Sequence, residues 1–276
     1  MLDQARKGRR WTRLTSRPRP PRGVAGDSLL LRIREAYVAW SPWTWLHIAG
    51  GVVPTLSIPE VQGAWRLRAV APVFLEQTGL SSPADLGATV RVTIPGDHGW
   101  VAIGAYNGEG YNNRELNRGK NLEAAASIRP FNTGFAAPFT LFASYVYGSS
   151  GTGLARSDRL TAGFFWQGIR VRAGVYTTYG WGFADSSDRQ TALVEAFVRA
   201  EPLERLIIGG RFAYWWRDVQ HQDDTAISAM LAVGYRVFDP LEFLVVGERT
   251  MTGDGARVAL PGYEAWEMRL VGHVFF

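Results

Sequence analysis

The chain has 276 residues, including 11 Trp, 10 Tyr, 14 Phe and 31 Gly, and it contains no Cys, which excludes disulfide bonds and thiolate chemistry. The formal net charge of +5 arises in residues 1–27, which hold eight Arg or Lys and two Asp. The remaining chain carries a charge near −1, so its body gives no reason to expect a nucleic acid as partner.

Residues 1–27 are rich in Arg and Pro and lack the apolar core of about 7–15 residues that a secretory signal needs. Pro18, Pro20 and Pro21 exclude a regular helix or a central strand. We predict that residues 1–27 form a disordered basic leader, with a nucleic-acid-binding arm as the alternative. Residues 28–276 are predicted to form one transmembrane domain.

From Leu29 onward, apolar residues alternate with polar or small ones, and turn-forming clusters separate the segments. No apolar run reaches the roughly 18 residues of a transmembrane helix. Period-two alternation in segments of about ten residues is typical of a membrane β-barrel. The pattern predicts strands at 29–40, 43–53, 86–94, 100–108, 120–130, 138–148, 157–166, 169–179, 189–200, 205–217, 224–237, 241–252 and 263–276.

The connections alternate in length, as expected for barrels with short periplasmic turns and long outer loops. Ser41-Pro42 and Asp239-Pro240 are examples of the short set, whereas 109–119 and 180–188 belong to the long set. Single-chain bacterial barrels have an even number of strands. Because we count thirteen, we expect the first strand to run from the outside inward, and at least one strand and the signal peptide to be missing from this chain.

A soluble β-sandwich or propeller is the alternative architecture. The membrane interpretation is favoured because the presumed inward faces are largely small and charged, as a wet lumen requires. Aromatic residues also lie near strand ends, as an interfacial girdle requires. That girdle is predicted to contain Trp40, Trp43, Trp45, Trp100, Trp166, Tyr179, Trp181, Trp215, Trp216 and Trp266.

The segment Gly-Ala-Tyr-Asn-Gly-Glu-Gly-Tyr-Asn at 104–112, followed by Glu115, Asn117 and Lys120, resembles a strand-loop element of the phosphate-selective porin O and P family. Asp85-Leu86-Gly87, residues 50–54 and the terminal Phe276 are also similar to that family. The resemblance implies a sixteen-stranded, homotrimeric porin of the Gram-negative outer membrane. The chain departs from the family's use of lysines, since Lys120 is the single Lys beyond residue 27.

Counting back from a sixteenth last strand makes the strand at 29–40 the fourth, so that three strands would precede it. The long connection 54–85 then corresponds to the third loop of porins, which folds into the lumen and narrows it. Connections of this length are usually functional. We therefore expect a constriction loop that brings Arg66 and Arg68, with Glu60 and Glu76, near wall arginines.

The presumed inward faces carry many arginines and few carboxylates. Guanidinium groups raise the local anion concentration and hold phosphate or carboxylate through paired hydrogen bonds. The alternative is that Arg and Glu pair across strands and only brace the wall. The arginines predicted to line the pore are Arg91, Arg129, Arg170, Arg172, Arg199, Arg211, Arg236 and Arg269.

No arrangement of residues predicts catalysis, a cofactor or a metal site, and we expect the protein not to be an enzyme. We predict an all-β, antiparallel, up-and-down barrel that lets small hydrophilic solutes diffuse through the outer membrane, with anion selectivity of a phosphate-like kind as the finer expectation. Outer-membrane lipid and small solutes or anions are the expected partners. A closed structural or adhesive barrel and a barrel enzyme are the alternatives.

Overall fold

The structure is a computed structural model that describes residues 34–108, 110–111, 119–150, 154–183, 186–260 and 262–274. Thirteen strands form one antiparallel sheet in which each strand pairs with its neighbours in chain order. This confirms the predicted up-and-down all-β fold. The sheet contains β1 (Ala36–Trp43), β2 (Leu46–Pro54), β3 (Ala84–Ile94), β4 (Gly99–Tyr106), β5 (Asn121–Ile128), β6 (Phe139–Tyr147), β9 (Asp158–Gln167), β10 (Val171–Phe183), β11 (Ser186–Ala200), β12 (Leu206–Trp216), β13 (Thr225–Phe238), β14 (Leu241–Thr252) and β15 (Ala265–Val274).

Two further short strands, β7 (Ser149–Ser150) and β8 (Ala155–Arg156), pair with each other in the connection between β6 and β9. A single 3₁₀ turn, Pro95–Asp97, joins β3 to β4. The predicted leader at 1–27, most of the loop 109–119 with its family-like residues, and Phe276 lie outside the described residues. None of the helices in the described part of the chain has the length and apolarity to cross a bilayer.

Two predicted connections are wrong. Ser41 and Pro42 lie inside β1, where the register shifts between Trp40 and Trp43, and the turn follows at Thr44. Pro42 is tolerated because it falls within this irregularity, where no ladder hydrogen bond is required of it. The predicted loop at 180–188 is largely strand, because β10 and β11 continue pairing as far as Phe183 and Ser186.

The outer face of the sheet is apolar and exposed, as contact with lipid requires. Ile103, Leu231 and Leu270 are 63%, 58% and 75% exposed, and Trp40 and Trp266 are also exposed. The inner face differs from the prediction, because it holds bulky apolar side chains as well as small and charged ones. Trp100 and Trp215, which were predicted to belong to an interfacial girdle, are buried on this inner face together with Phe142, Phe165, Tyr176 and Phe197.

The connection between β2 and β3, residues 55–83, explains the apolar inner face. We call it the inner segment; it contains α1 (Ser57–Trp65) and α2 (Phe74–Gln77). Its apolar side chains join one core with inner-face residues of β4 to β6 and β9 to β14, so the sheet curls around it. A third helix, α3 (Asp254–Ala259), lies in the connection between β14 and β15.

The sheet has two free edges. Within the described residues β1 pairs only with β2, and β15 pairs only with β14. No ladder joins β1 to β15 there. The thirteen strands therefore form a wall of barrel type that is not closed by backbone pairing between these two edges.

Candidate functional site

The first half of the inner segment is held by β5. Glu123 on β5 accepts hydrogen bonds from the backbone N–H groups of Leu56, at 2.9 Å, and Ser57, at 3.1 Å. These are free N–H groups at the start of α1, where a carboxylate is favoured by the helix dipole. Ser127, four residues further along β5 and on the same face, donates to Glu60 at 2.6 Å. The wall thus fixes both the beginning of α1 and its acidic side chain, Glu60.

The second half of the inner segment is held by β10, β11 and β12. The N–H of Phe74, at the start of α2, donates to Glu195 at 2.5 Å, and the N–H of Leu75 donates to the Tyr176 hydroxyl at 3.1 Å. The Tyr176 hydroxyl itself donates to Glu195 at 2.5 Å, and Arg211 donates to the carbonyl of Pro72 at 2.5 Å. Each helix of the inner segment therefore begins on a carboxylate supplied by the wall.

Two further arginines hold carbonyl groups of the inner segment. Arg159 on β9 donates to the carbonyl of Leu80, and Arg172 on β10 donates to that of Gly63 at 3.2 Å. Aromatic contacts complete the docking. The ring centroids of Trp65 and Phe197 are 5.5 Å apart with an angle of 60° between the ring planes. Those of Phe74 and Trp215 are 6.4 Å apart, and these two rings are nearly perpendicular.

The four residues predicted for the constriction lie in different settings. Arg68 and Glu76 form a two-pronged ion pair within the inner segment, at 2.6 and 2.8 Å. Arg66 is the residue that ends α1, with a left-handed φ of 56°, and its side chain is exposed. Glu60 is held by Ser127. Arg66 and Glu60 therefore face the space beside the wall, whereas Arg68 and Glu76 neutralise each other.

The predicted pore arginines fall into two groups. Those in the first group form ion pairs: Arg129 with Asp97 at 2.8 Å, Arg199 with Glu201 at 2.6 Å, Arg211 with Glu248 at 2.8 Å, Arg236 with Glu242 at 2.8 Å, and Arg269 with Glu248. Arg211 is buried beneath the inner segment, so it does not meet open water. Among the described residues, no carboxylate lies within 4.0 Å of the guanidinium groups in the second group: Arg91, Arg170 and Arg172.

Some arginines of each group line two cavities at the end of the sheet that has the short turns; Arg211 and Arg269 line neither of them. The first, which we call the arginine cavity, has a volume of about 440 Å³. Its charged lining consists of Arg66, Arg91, Arg129, Arg172, Glu60 and Asp97, four guanidinium groups against two carboxylates. Arg170 does not line it; it lies in the turn between β9 and β10.

The second cavity, of about 530 Å³, is electrically balanced. Three arginines, Arg66, Arg199 and Arg236, face the three carboxylates of Glu201, Asp239 and Glu242 there. Burial alone would raise the pKa of Glu201, in the turn after β11, but Arg199 and Arg236 lower that pKa below its ordinary value. Arg66 lines both cavities and so lies between a positively charged space and a neutral one.

Several residues have contacts here that were not predicted from the sequence, although alternation had placed Glu123 and Glu195 on inward faces. Trp100 supports Arg91, whose guanidinium carbon lies 4.3 Å from the centre of the ring, and Glu123, Glu195 and Tyr176 hold the inner segment. The sequence did contain a signal for Glu123 and Glu195. Both are acidic residues on inward faces, and a buried carboxylate needs hydrogen-bond or charge partners. The His221 ring contacts Asp218 within its own loop, and no group of three potential metal ligands occurs among the described residues.

Neither the protein-family models nor the curated proteins include a match to this chain. Among solved structures, the chain is similar to the outer-membrane expressed OmpT of Vibrio cholerae, with a TM-score of 0.58 and 11% identity over 87% of this chain and 77% of that one. A form of that protein lacking loop L8 gives a TM-score of 0.54 at 12% identity, over 83% and 75% of the two chains.

A porin refined at 1.8 Å resolution gives a TM-score of 0.53 at 12% identity, over 87% of this chain and 80% of that one. Identities this low establish the fold alone, so membership of the phosphate-selective family stays a prediction. The strand order, the apolar outer face and these similarities agree with one another. The chain has the fold of a Gram-negative outer-membrane β-barrel.

Proposed function

We propose that the protein is an outer-membrane porin that lets small hydrophilic solutes diffuse passively, with a preference for anions, and that it catalyses no reaction. The observation that carries the proposal is the arginine cavity. It lies on the inner side of a lipid-exposed wall and has more guanidinium groups than carboxylates. The resemblance in residues 104–120 further suggests that the porin is a homotrimer.

Room for solutes is expected beside the inner segment rather than through it. α1 packs against β6, β9, β10 and β11. On the other side of the lumen, β1 is exposed, and the inward residues Arg269 and His273 of β15 are only partly buried. A water-filled path between these strands and Arg66 would connect both cavities with the lumen.

Anion preference follows from the uneven pairing of charge. Where Arg199 and Arg236 meet their carboxylates, a passing ion feels little net field. Arg66 and Arg91 have no carboxylate within ion-pair distance in the described ranges of the chain, so their positive potential extends into the water. The screening length at physiological salt is about 8 Å, comparable to the width of a constricted pore. These two residues should therefore dominate charge selectivity.

The test is the reversal potential of the reconstituted protein across a planar bilayer in a KCl gradient. We expect the wild type to favour chloride and the double variant Arg66→Gln/Arg91→Gln to approach equal permeability. Arg249→Gln is the matched control, because Arg249 is an exposed arginine of β14 outside both cavities. An unchanged permeability ratio in the double variant would refute anion preference and leave a general porin.

The apolar core under the inner segment supports one alternative, a structural or adhesive barrel whose lumen is filled. Trp65, Phe74 and Leu75 are fully buried there, as in a plug. Swelling of proteoliposomes in a neutral sugar separates the two functions, since a filled lumen admits no sugar. Failure of both sugar flux and ion conductance would favour the filled barrel.

A further inference from the structure

The arginine cavity carries guanidinium groups that are fixed in place but have unused donors. Arg91 lies over the Trp100 ring, which orients its plane without occupying its N–H groups. In the described part of the chain, neither Arg66 nor Arg91 forms a side-chain hydrogen bond or ion pair. The hydrogen bonds of Arg172 to other described residues go to neutral oxygens, the Gly63 carbonyl at 3.2 Å and Gln167 Oε1 at 3.4 Å. A planar oxyanion is the partner that such groups bind best.

The cavity also contains groups that would disfavour a simple anion. Glu60 and Asp97 lie on its lining, and Glu60 interacts electrostatically with Arg91. Hydroxyl groups of a ligand can donate to these carboxylates, whereas an anion without hydroxyls leaves them facing a like charge. Thr93 and Gln167 offer further neutral hydrogen-bonding groups. The lining thus combines donors for a carboxylate with acceptors for hydroxyls.

The volume of the arginine cavity also favours a ligand larger than an inorganic anion. Its volume of about 440 Å³ falls within the range of small-molecule sites and exceeds what an inorganic anion needs to make its contacts. A ligand that reaches both the arginines and Glu60 or Asp97 must have several heavy atoms between its charged and neutral ends.

We propose that the arginine cavity is a binding site for a sugar-sized hydroxylated carboxylate, whose carboxylate is held by Arg66, Arg91 and Arg172 and whose hydroxyls donate to Glu60 and Asp97. The inference rests on the proposed passage of anions and assigns the substrate class. The proposal also makes Arg66 a specificity determinant. Of the three arginines, Arg66 is the one supplied by the inner segment, whereas Arg91 and Arg172 belong to strands of the wall.

Calorimetric titration of the detergent-solubilised protein tests the site with four probes. These are D-galacturonate, D-galactose with hydroxyls only, acetate with a carboxylate only, and inorganic phosphate. We expect galacturonate to bind about tenfold more tightly than each of the others, because only it uses both sets of contacts. Equal or tighter binding of acetate or phosphate, or no binding of galacturonate, would overturn the proposal.

Variants locate the site. Arg66→Gln and Arg91→Gln should each weaken galacturonate binding about tenfold, since each removes a charge-assisted hydrogen bond. Arg249→Gln should leave it unchanged; equal loss in this control, or none in the first two, contradicts the assignment. Arg91→Lys keeps the charge without the planar fork and serves if Arg91→Gln does not fold. Bilayer conductance in KCl without probe separates the outcomes: conductance without galacturonate binding leaves the porin and removes this site, whereas binding without conductance removes the proposed passage.

Discussion

Glu195 lies within β11, where its side chain is fully buried. One of its oxygens accepts from both the Tyr176 hydroxyl and the Phe74 N–H, each at 2.5 Å, while its other oxygen has no partner among the described residues. A buried carboxylate is costly unless it is paired and hydrogen-bonded. Here the cost is offset by contacts that join three separate parts of the chain, which makes Glu195 a fixed point of the inner segment.

We predict that Glu195→Ala lowers the free energy of unfolding by about 3 kcal/mol, because it leaves the Phe74 N–H and the Tyr176 hydroxyl buried without an acceptor. Chemical unfolding of the detergent-solubilised protein measures the change. Glu267→Ala is the control, since Glu267 is exposed and its pair with Arg269 should contribute at most about 1 kcal/mol. Equal loss in both variants would contradict the assigned role.

For single residues, the sequence predicts which face of the sheet a side chain occupies but not which groups it contacts. Alternation places Glu195 and Arg211 on the inward face of their strands, as the structure has them. The partner of Arg211, Glu248, comes from β14 and also contacts Ser228 on β13. Such a pairing depends on the register of three strands, which alternation leaves open. For this reason the unpaired arginines could not be separated from the paired ones in advance.

The inner segment was predicted from its length and position, but its apolar docking was not. Ile58, Val61 and Trp65 follow the three- and four-residue spacing of an amphipathic helix, a signal that the period-two pattern around it hides. The strands were predicted more closely, because alternation repeats thirteen times, and their ends were missed where a bulge or an extended ladder intervened. Gly209 fits the docking, since a Cβ there would lie 2.4 Å from Leu67 Cδ1.

We predict that Trp65→Ala loosens the inner segment, because it leaves a large cavity between α1 and Phe197 that costs about 3–5 kcal/mol. Trypsin should then cleave after Arg66 or Arg68 in the folded protein, whereas the wild type should resist. Phe135→Ala provides the comparison, as Phe135 is 86% exposed in the turn after β5. Mass spectrometry of the fragments identifies the cut. Cleavage of wild type and Trp65→Ala at equal rates would show that the docking does not restrain this segment.

On the scale of the whole molecule, backbone pairing is uneven across the sheet. β10 and β11 pair over an almost unbroken ladder from Val171 and Ala200 to Phe183 and Ser186, whereas β1 and β15 each have one partner strand among the described residues. An unpaired backbone group in lipid costs several kcal/mol. The two edges are therefore the least stable part of the wall.

We predict that backbone amides of β1 and β15 exchange with solvent hydrogen faster than those of β10 and β11, since local opening is easiest where one side of a strand is unpaired. Hydrogen exchange read by mass spectrometry on the reconstituted protein measures this within a single sample. Equal protection of edge and centre would mean that another chain or another part of this one covers the edges.

The way in which the wall holds the inner segment has a practical consequence. Glu123, Arg159, Arg172, Glu195 and Arg211 each contact peptide N–H or C=O groups of residues 55–83. Peptide groups are the same whatever side chain they carry. Residues of the segment that face open water, such as Arg66, can therefore vary while these hydrogen bonds to the backbone are kept. Under the proposed passage of solutes, other side chains grafted at such positions should change which solutes pass while the strands of the wall keep their fold.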